Sequence, residues 1–319
     1  MNYIVLDLEW NQSPDGKKHS NKKLPFEIIE IGAVKLNENK EILDTFQCLV
    51  KPQVYNWIHN SIHDVIHMDY KDLQDGKPFP TAAQEFLTWC GEAFFLFTWG
   101  NQDTTEFQRN LKYYDLLQLL PGPVVYYDLQ KLFSIFFEDS TSRRSLEYAI
   151  DFLQIQKNDD FHRALADAKY TADILQQMDL SQVLSNSSLD VYQNPKKKRE
   201  EIHMLYPDYY RFISREFPSR EKAMKDREVT STRCPICGHP AKRKIRWFMN
   251  NSKVFYSVSN CAQHGSVIGR IRIRKTDEDM YFAIKKLHCA DIEEAEEIRL
   301  KRDSLRLKRK LKKRVDKEV

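Results

Sequence analysis

The sequence predicts an α/β fold followed by a second, smaller and basic domain, and three observations lead there. Over roughly the first 180 residues, short apolar runs with β-branched and aromatic character alternate with segments of helical periodicity. Acidic residues sit on or just beyond two of those runs. Near residues 184–200 the composition breaks, and two close Cys/His pairs follow in a stretch rich in Lys and Arg.

The first run, YIVLDLEW at residues 3–10, reads as a buried strand. Asp7 and Glu9 lie two apart on it, so both carboxylates project from one side among apolar neighbours. Two poorly solvated like charges are costly without a cation between them. Mg²⁺ or Mn²⁺ suits carboxylate oxygens and keeps water positions open for a phosphate. Taken alone, D-x-E on a strand is more often an exposed or salt-bridged edge. In FFLFTWGNQDTTEFQRN, residues 94–110, a second apolar strand runs into Gly100 and a polar turn carrying Asp103, with a helix pattern after it. Loops at strand ends are where α/β folds place chemistry. FHRALADAKYTADIL, residues 161–175, is helical from about Leu165. His162 precedes Asp167 by five residues, an offset of about 500°, or 140° net, on a helix. His162 is therefore expected on the entering loop, and Asp167 on the inward side of the first turns.

With D-L-E, W-G-N-Q-D and H-R-A-L-A-D-A-x-x-T-A in this order, residues 1–180 resemble the DEDDh family of exonucleases, and the third motif is the most specific. EIIEIGAVKL at 27–36 and YYDLQKLF at 126–133 are similar to the Eri-like exoribonucleases, the branch that includes the KapD-like inhibitors. The resemblance implies a ribonuclease H-like, mixed five-stranded sheet flanked by helices. It implies a 3′-to-5′ exonuclease that releases 5′-nucleotides from single-stranded nucleic acid, RNA favoured over DNA. Two ions, Mg²⁺ or Mn²⁺, would be held by Asp7, Glu9, Asp103 and Asp167, with Asp7 contacting both. His162 would be the general base, a role that suits an imidazole; without this Asp167 beside it, it would read as a satisfied loop histidine. Where many relatives carry a small hydroxyl residue after the first motif, this chain has Trp10, Asn11 and Gln12. Trp10 either binds substrate, by stacking on the terminal base or ribose, or only covers the strand end.

The chain's 319 residues, 41% hydrophobic and 12% aromatic, support one large core and at least one smaller domain. The start reads as a strand and not as a signal peptide, no apolar run approaches a membrane span, and no membrane partner is expected. Six cysteines at uneven spacing do not suggest a disulfide framework, and a cytoplasmic location is the default. Gly-rich phosphate loops and a serine or cysteine nucleophile frame are absent from the sequence.

The formal charge of +4 hides two opposed halves: residues 191–319 carry 33 Lys and Arg against 18 Asp and Glu, and residues 1–190 carry 17 against 28. An acidic catalytic half attracts a polyanion weakly, and a basic appendage supplies the missing pull. The expected organisation is a catalytic domain at 1–183, a linker with short helices at 184–229, a zinc-ribbon-like domain at 230–290 and a basic helix or tail at 291–319.

Cys234-x2-Cys237 and, after 23 residues, Cys261-x2-His264 fit a tetrahedral Cys₃His site for one structural Zn²⁺. Gly238 and Gly265 follow the two knuckles, His239 is a competing ligand, and RWFMNNSKVFYSVS between them reads as a hairpin turning near Asn250 and Asn251. Lys242, Arg243, Lys244 and Arg246 lead into Trp247 and Phe248, while Arg270, Arg272 and Arg274 share one strand face, a pattern that suits nucleic-acid backbone and stacking. Residues 299–314 hold ten Lys or Arg among sixteen, with Leu300, Leu307 and Leu311 at helix-like intervals. That tail suits nucleic acid, a ribosome or another nucleoprotein, unless it is simply a solvated helix. His59, His63 and His67 recur every fourth residue but lack an acidic partner in the pattern and read as surface or packing residues. Two other functions fit the same residues: a regulatory protein that holds a nucleic acid or protein in the manner of the KapD branch, and a proofreading or repair exonuclease of DNA ends.

Overall fold

The computed structural model describes the chain except residues 17, 18, 60, 61, 65–67, 140, 159, 160 and 319, and the side chains of 309, 310 and 312–318. His67 lies outside the described residues. The chain divides into two compact units, Met1–Gln193 and Asn194–Val319.

The first unit is built on a mixed sheet of β1 (Asn2–Gln12), β2 (Phe26–Leu36), β3 (Ile42–Leu49), β4 (Phe94–Thr98), β5 (Val125–Asp128) and β6 (Ser188–Leu189). Their order is β3-β2-β1-β4-β5-β6, with β1, β4 and β5 parallel and the other pairings antiparallel. Five of these are the strands expected of a ribonuclease H-like sheet; the sixth has two residues. The helices are α1 (Phe79–Cys90), α2 (Gln102–Tyr113), α3 (Leu129–Phe137), α4 (Leu146–Phe152), α5 (Ala164–Gln176) and α6 (Leu180–Ser185). Because strand side chains alternate, the sheet feeds two cores. One gathers Ile4, Leu6 and Leu8 with Phe79, Phe86 and Phe107, and the other gathers Val5, Val34 and Phe97 with Leu132, Ala172 and Ile174.

Two local features shape the end of this sheet where the acids lie. A bulge in β2 interrupts its pairing with β1: Glu9 faces Glu30 and Trp10 faces Ile28, which leaves Ile29 extra. The buried Asn110 of α2 repairs the ladder, accepting from Ile28 N–H at 3.1 Å and donating to Phe26 O at 3.0 Å. Gly32 on β2 lies against the start of α5, where a Cβ would come within 2.1 Å of Ala164 backbone. Only a glycine lets that helix approach so closely.

The second unit is a six-stranded antiparallel sheet in the order β7-β8-β12-β11-β10-β9. Its strands are β7 (Ile202–Leu205), β8 (Tyr209–Ile213), β9 (Lys242–Met249), β10 (Val254–Cys261), β11 (Gly265–Lys275) and β12 (Tyr281–Ala290), with helices α7 (Arg220–Lys225), α8 (Arg227–Thr230) and α9 (Ile292–Glu318). The expected β9–β10 hairpin is present; Asn250 opens its turn, accepting from Val254 N–H through its side chain at 2.9 Å.

The expected linker at 184–229 is corrected. Residues 188–189 pair with β5 in the first sheet, and 202–213 add a hairpin to the second, so the ribbon strands β9–β12 form one end of a larger, six-stranded sheet. The reason is non-local: β7 and β8 pair locally with each other, but the hairpin joins the sheet only through β8 and β12, more than seventy residues on. Trp247 is corrected as well. Its ring lies over Gly269 and its indole N–H donates to Thr230 O at 2.9 Å, so it packs the unit and offers no stacking platform. Leu300, Leu307 and Leu311 of α9 are exposed, while Ile298 packs on Ile245, Val258 and Ile268. No described helix is long and apolar enough to cross a membrane.

Candidate active site and cysteine cluster

Asp7 and Glu9 project from the C-terminal half of β1, Asp103 from the first turn of α2 and Asp167 from the first turn of α5. Asp7, Glu9 and Asp167 each offer a carboxylate oxygen within 4.8 Å of the others. Asp103, 5% exposed, accepts from Leu8 N–H at 3.2 Å, which docks the start of α2 onto β1 between Asp7 and Glu9. All four line a cleft of about 420 Å³ whose other walls include Trp10, Trp99, Asn101 and Gln130.

The electrostatics of this cluster are those that a cation would relieve. Burial, then the neighbouring acids, pushes Asp7 well above the usual carboxylate range. The same causes push Glu9 up to about 8. Burial raises Asp103 to about 7 and Asp167 to about 6, in each case against hydrogen bonds that favour the charged form. Asp167 Oδ1 is buried with no hydrogen-bond partner, although its Oδ2 accepts from His162 N–H at 3.1 Å. An orphaned carboxylate oxygen aimed among three other acids fits a hard divalent ion, whose charge would reverse each of these shifts.

His162 is exposed and takes a positive φ of 65°, in the loop before α5. This conformation, uncommon outside glycine, places its backbone N–H on Asp167 while leaving the imidazole outside the residues that line the cleft. Trp10 is half-buried, 6.0 Å between ring centroids from Phe26, with part of the indole on the cleft wall.

Behind the cluster lies a residue that sequence reading missed. Glu30, fully buried on β2, faces Glu9 across the strands, a like-charge pairing that destabilises unless compensated. Arg163 compensates it with two 3.0 Å contacts to the two Glu30 oxygens, and Gln47 adds a third donor at 2.8 Å. The guanidinium thus ties the His162 loop to the sheet. The signal was present in EIIEIGAVKL, where an acid interrupts an apolar strand, and in the Arg that follows His162.

In the second unit, Cys234, Cys237, Cys261 and His264 place one ligand atom each within 4.8 Å of the others. The Cys237–Cys261 sulfurs are 3.6 Å apart, and His264 Nδ1 is 3.6 Å from Cys234 Sγ and 3.8 Å from Cys261 Sγ. A tetrahedron with arms of about 2.3 Å has edges of about 3.8 Å, so the cluster fits Zn²⁺. Backbone N–H groups of Gln263 and His264 pull the Cys261 thiol down to about 6, ready to ligate as thiolate. His239 is exposed and outside the cluster. Cys289, unassigned from sequence, lies 3.9 Å from Cys234 Sγ, and burial and that neighbour push it up to about 11.

The model of the exonuclease family typified by RNase T matches residues 4–175, and the chain belongs to that family. Its acids and His162 stand in the order of the DEDDh type, and the first unit is a nuclease domain, a hydrolase of nucleic acid whose family uses divalent ions. Among curated proteins, the PolC-type DNA polymerase III of Caldanaerobacter subterraneus subsp. tengcongensis is 29% identical over 176 residues, which are 55% of this chain and 11% of that one. Among solved structures, the nuclease domain of 3′hExo, a DEDDh family member bound to rAMP, has a TM-score of 0.50 at 20% identity, covering 59% of this chain and 96% of that one. E. coli exonuclease I in complex with a dA16 oligonucleotide has a TM-score of 0.45 at 13% identity, covering 55% of this chain and 40% of that one. The fold shared with 3′hExo is the ribonuclease H-like one.

Proposed function

We propose that the chain removes 5′-nucleotides from the 3′ end of single-stranded nucleic acid, RNA before DNA, by metal-assisted hydrolysis. The observation that carries this reading is the convergence of Asp7, Glu9, Asp103 and Asp167 on one open cleft, with Asp167 Oδ1 lacking any protein partner. When bound there, Mg²⁺ or Mn²⁺ supplies positive charge to the scissile phosphate and makes a water nucleophilic. The protein's part is to hold the four oxygens fixed: Leu8 N–H orients Asp103, His162 N–H orients Asp167, and the Arg163–Glu30 pair anchors the loop between α4 and α5 to β2. His162, exposed in the loop that enters α5 and bonded through its N–H to Asp167, takes the proton of the attacking water and passes it out to solvent. Trp10 and Trp99 on the cleft wall supply faces for the terminal base and ribose. The rAMP bound by the 3′hExo nuclease domain supports a ribonucleotide as occupant, as do the Eri-like segments at 27–36 and 126–133. The Cys₃His cluster holds one structural Zn²⁺, with no open position for chemistry. A cytoplasmic setting suits six cysteines of which none is paired in a disulfide.

The test is a time course on 5′-labelled single-stranded RNA and DNA of matched sequence with Mg²⁺ or Mn²⁺. A ladder shortening from the 3′ end, faster on RNA, is expected. Internal cuts, or no metal-dependent product from the wild type, would overturn the reading in favour of an endonuclease or of a regulatory binding protein.

A further inference from the structure

The second unit carries a charged surface that the nuclease site does not use. In the antiparallel register, Arg270 of β11 pairs with Lys286 of β12, and Lys286 pairs with Arg211 of β8. Three cations therefore stand in one row across three adjacent strands. Arg272, two residues along β11 from Arg270, shares their face and opens the same depression, of about 250 Å³, together with Tyr209 and Ile284. Like charges directly opposite each other destabilise a sheet. None of these four cations has an ion pair among the described residues. The acids that act on Lys286, Asp208 and Glu294, are outweighed in the row, and Glu294 is held by His288 at 2.8 Å.

Two further observations point to a ligand. Arg270 Nε is buried and has no hydrogen-bond partner, a donor withdrawn from water with nothing to satisfy it. Lys286 Nζ sits 4.1 Å from the centroid of the Tyr209 ring, whose other face stacks on Tyr206 at 4.4 Å, so the ring holds the ammonium in the row without neutralising it. A sheet that concentrates guanidinium groups without ion pairs meets the needs of a phosphodiester backbone: bidentate donors set in a row for successive phosphates. An acidic protein segment has no such fixed repeat of divalently accepting groups.

We propose that Arg211, Arg270, Arg272 and Lys286, with Tyr209, form a phosphodiester-binding face on which the second unit holds single-stranded nucleic acid. This rests on the nuclease reading of the first unit, since a second grip on the same polymer is useful to an enzyme whose own cleft is acidic. Carrying both on one chain raises the local concentration of the strand at the cleft. Arg274 shares the strand face but does not line the depression, and Trp247 is packed on the opposite side of the sheet.

The test uses the full chain with Asp7→Ala, so that hydrolysis does not consume the probe, and measures anisotropy of a fluorescein-labelled 20-nucleotide strand, RNA or DNA, from 50 to 300 mM KCl. Arg270→Ala/Arg272→Ala/Lys286→Ala is expected to lower the log–log salt slope by about 2 and to weaken binding by roughly 10- to 100-fold at 0.15 M salt. Because Arg270 is half-buried, the exposed pair Arg272→Ala/Lys286→Ala is measured beside it, with zinc content and Tm as checks on folding; a slope lower by about 1.4 is expected. An unchanged slope in a folded variant would overturn the proposal, as would equal competition by poly-glutamate, which would make the face a protein-docking surface. If the wild type shortens no nucleic acid yet the variants lose binding, the nuclease reading falls and this face stands. Active enzyme with unchanged slopes in the variants sinks this face alone.

Discussion

At Glu9 and Asp103 a burial cost and a function meet in the same atoms. Held up to about 8 and about 7, these carboxyls keep protons in the metal-free fold that they lose near pH 4 when unfolded. The folded state therefore binds more protons across that interval, and its stability falls as pH rises from about 4 through 8. A divalent ion removes the penalty by replacing those protons. The gain in Tm on adding Mn²⁺ or Mg²⁺ to chelator-treated protein is accordingly expected to be larger at pH 8 than at pH 5, and an equal gain at both would contradict it. On the proposed mechanism His162 acts on the water and not on the ion, so His162→Ala should lower kcat by about 10²–10⁴-fold while leaving ion binding intact. A variant that loses ion binding instead would show that His162 works through Asp167.

Among the elements, the start of α5 and the bulged end of β2 decide whether the acids converge. Gly32→Ala would force a methyl into Ala164 backbone, and α5 would have to retreat with Asp167 on its first turn. Activity is expected to fall on the order of 100-fold and stability by about 1–3 kcal/mol, read by kcat and urea unfolding; wild-type kcat would mean that the contact is not limiting. In the other sheet, Cys234→Ser should abolish the one equivalent of zinc released on unfolding and lower Tm, and a metal-free folded wild type would contradict a structural zinc. These elements also mark how far the sequence could be read. Asp7, Glu9 and Asp167 were legible because each sits in a local frame, a strand or a helix start, whose period fixes its direction. Glu30 and Gly32 were not, since their meaning arises from an antiparallel register with β1 and from a helix that arrives 130 residues later. Cys289 reaches the cysteine cluster through the β11–β12 pairing, a contact with no local signature.

For the whole molecule, the opposed charges of the two halves are what the proposed division of labour requires: an acidic unit to take cations and a basic one to take a polyanion. The fold class and the break in composition were readable, because periodicity and charge are local sums. The extent of the second unit was not, because 202–213 join its sheet by long-range pairing with β12. Removing residues 299–319 should weaken nucleic-acid binding most at low salt and lower the salt slope; an unchanged slope would assign the tail to another partner.

The carboxylate cluster as a divalent-metal centre is tested most directly by titrating Mn²⁺ into chelator-treated, zinc-replete protein and counting bound ions by electron paramagnetic resonance, for wild type and for Asp7→Ala. Binding in the wild type, lost together with hydrolysis in a variant that still unfolds cooperatively, is the expected result. Undiminished Mn²⁺ binding or turnover in Asp7→Ala would place the metal chemistry elsewhere.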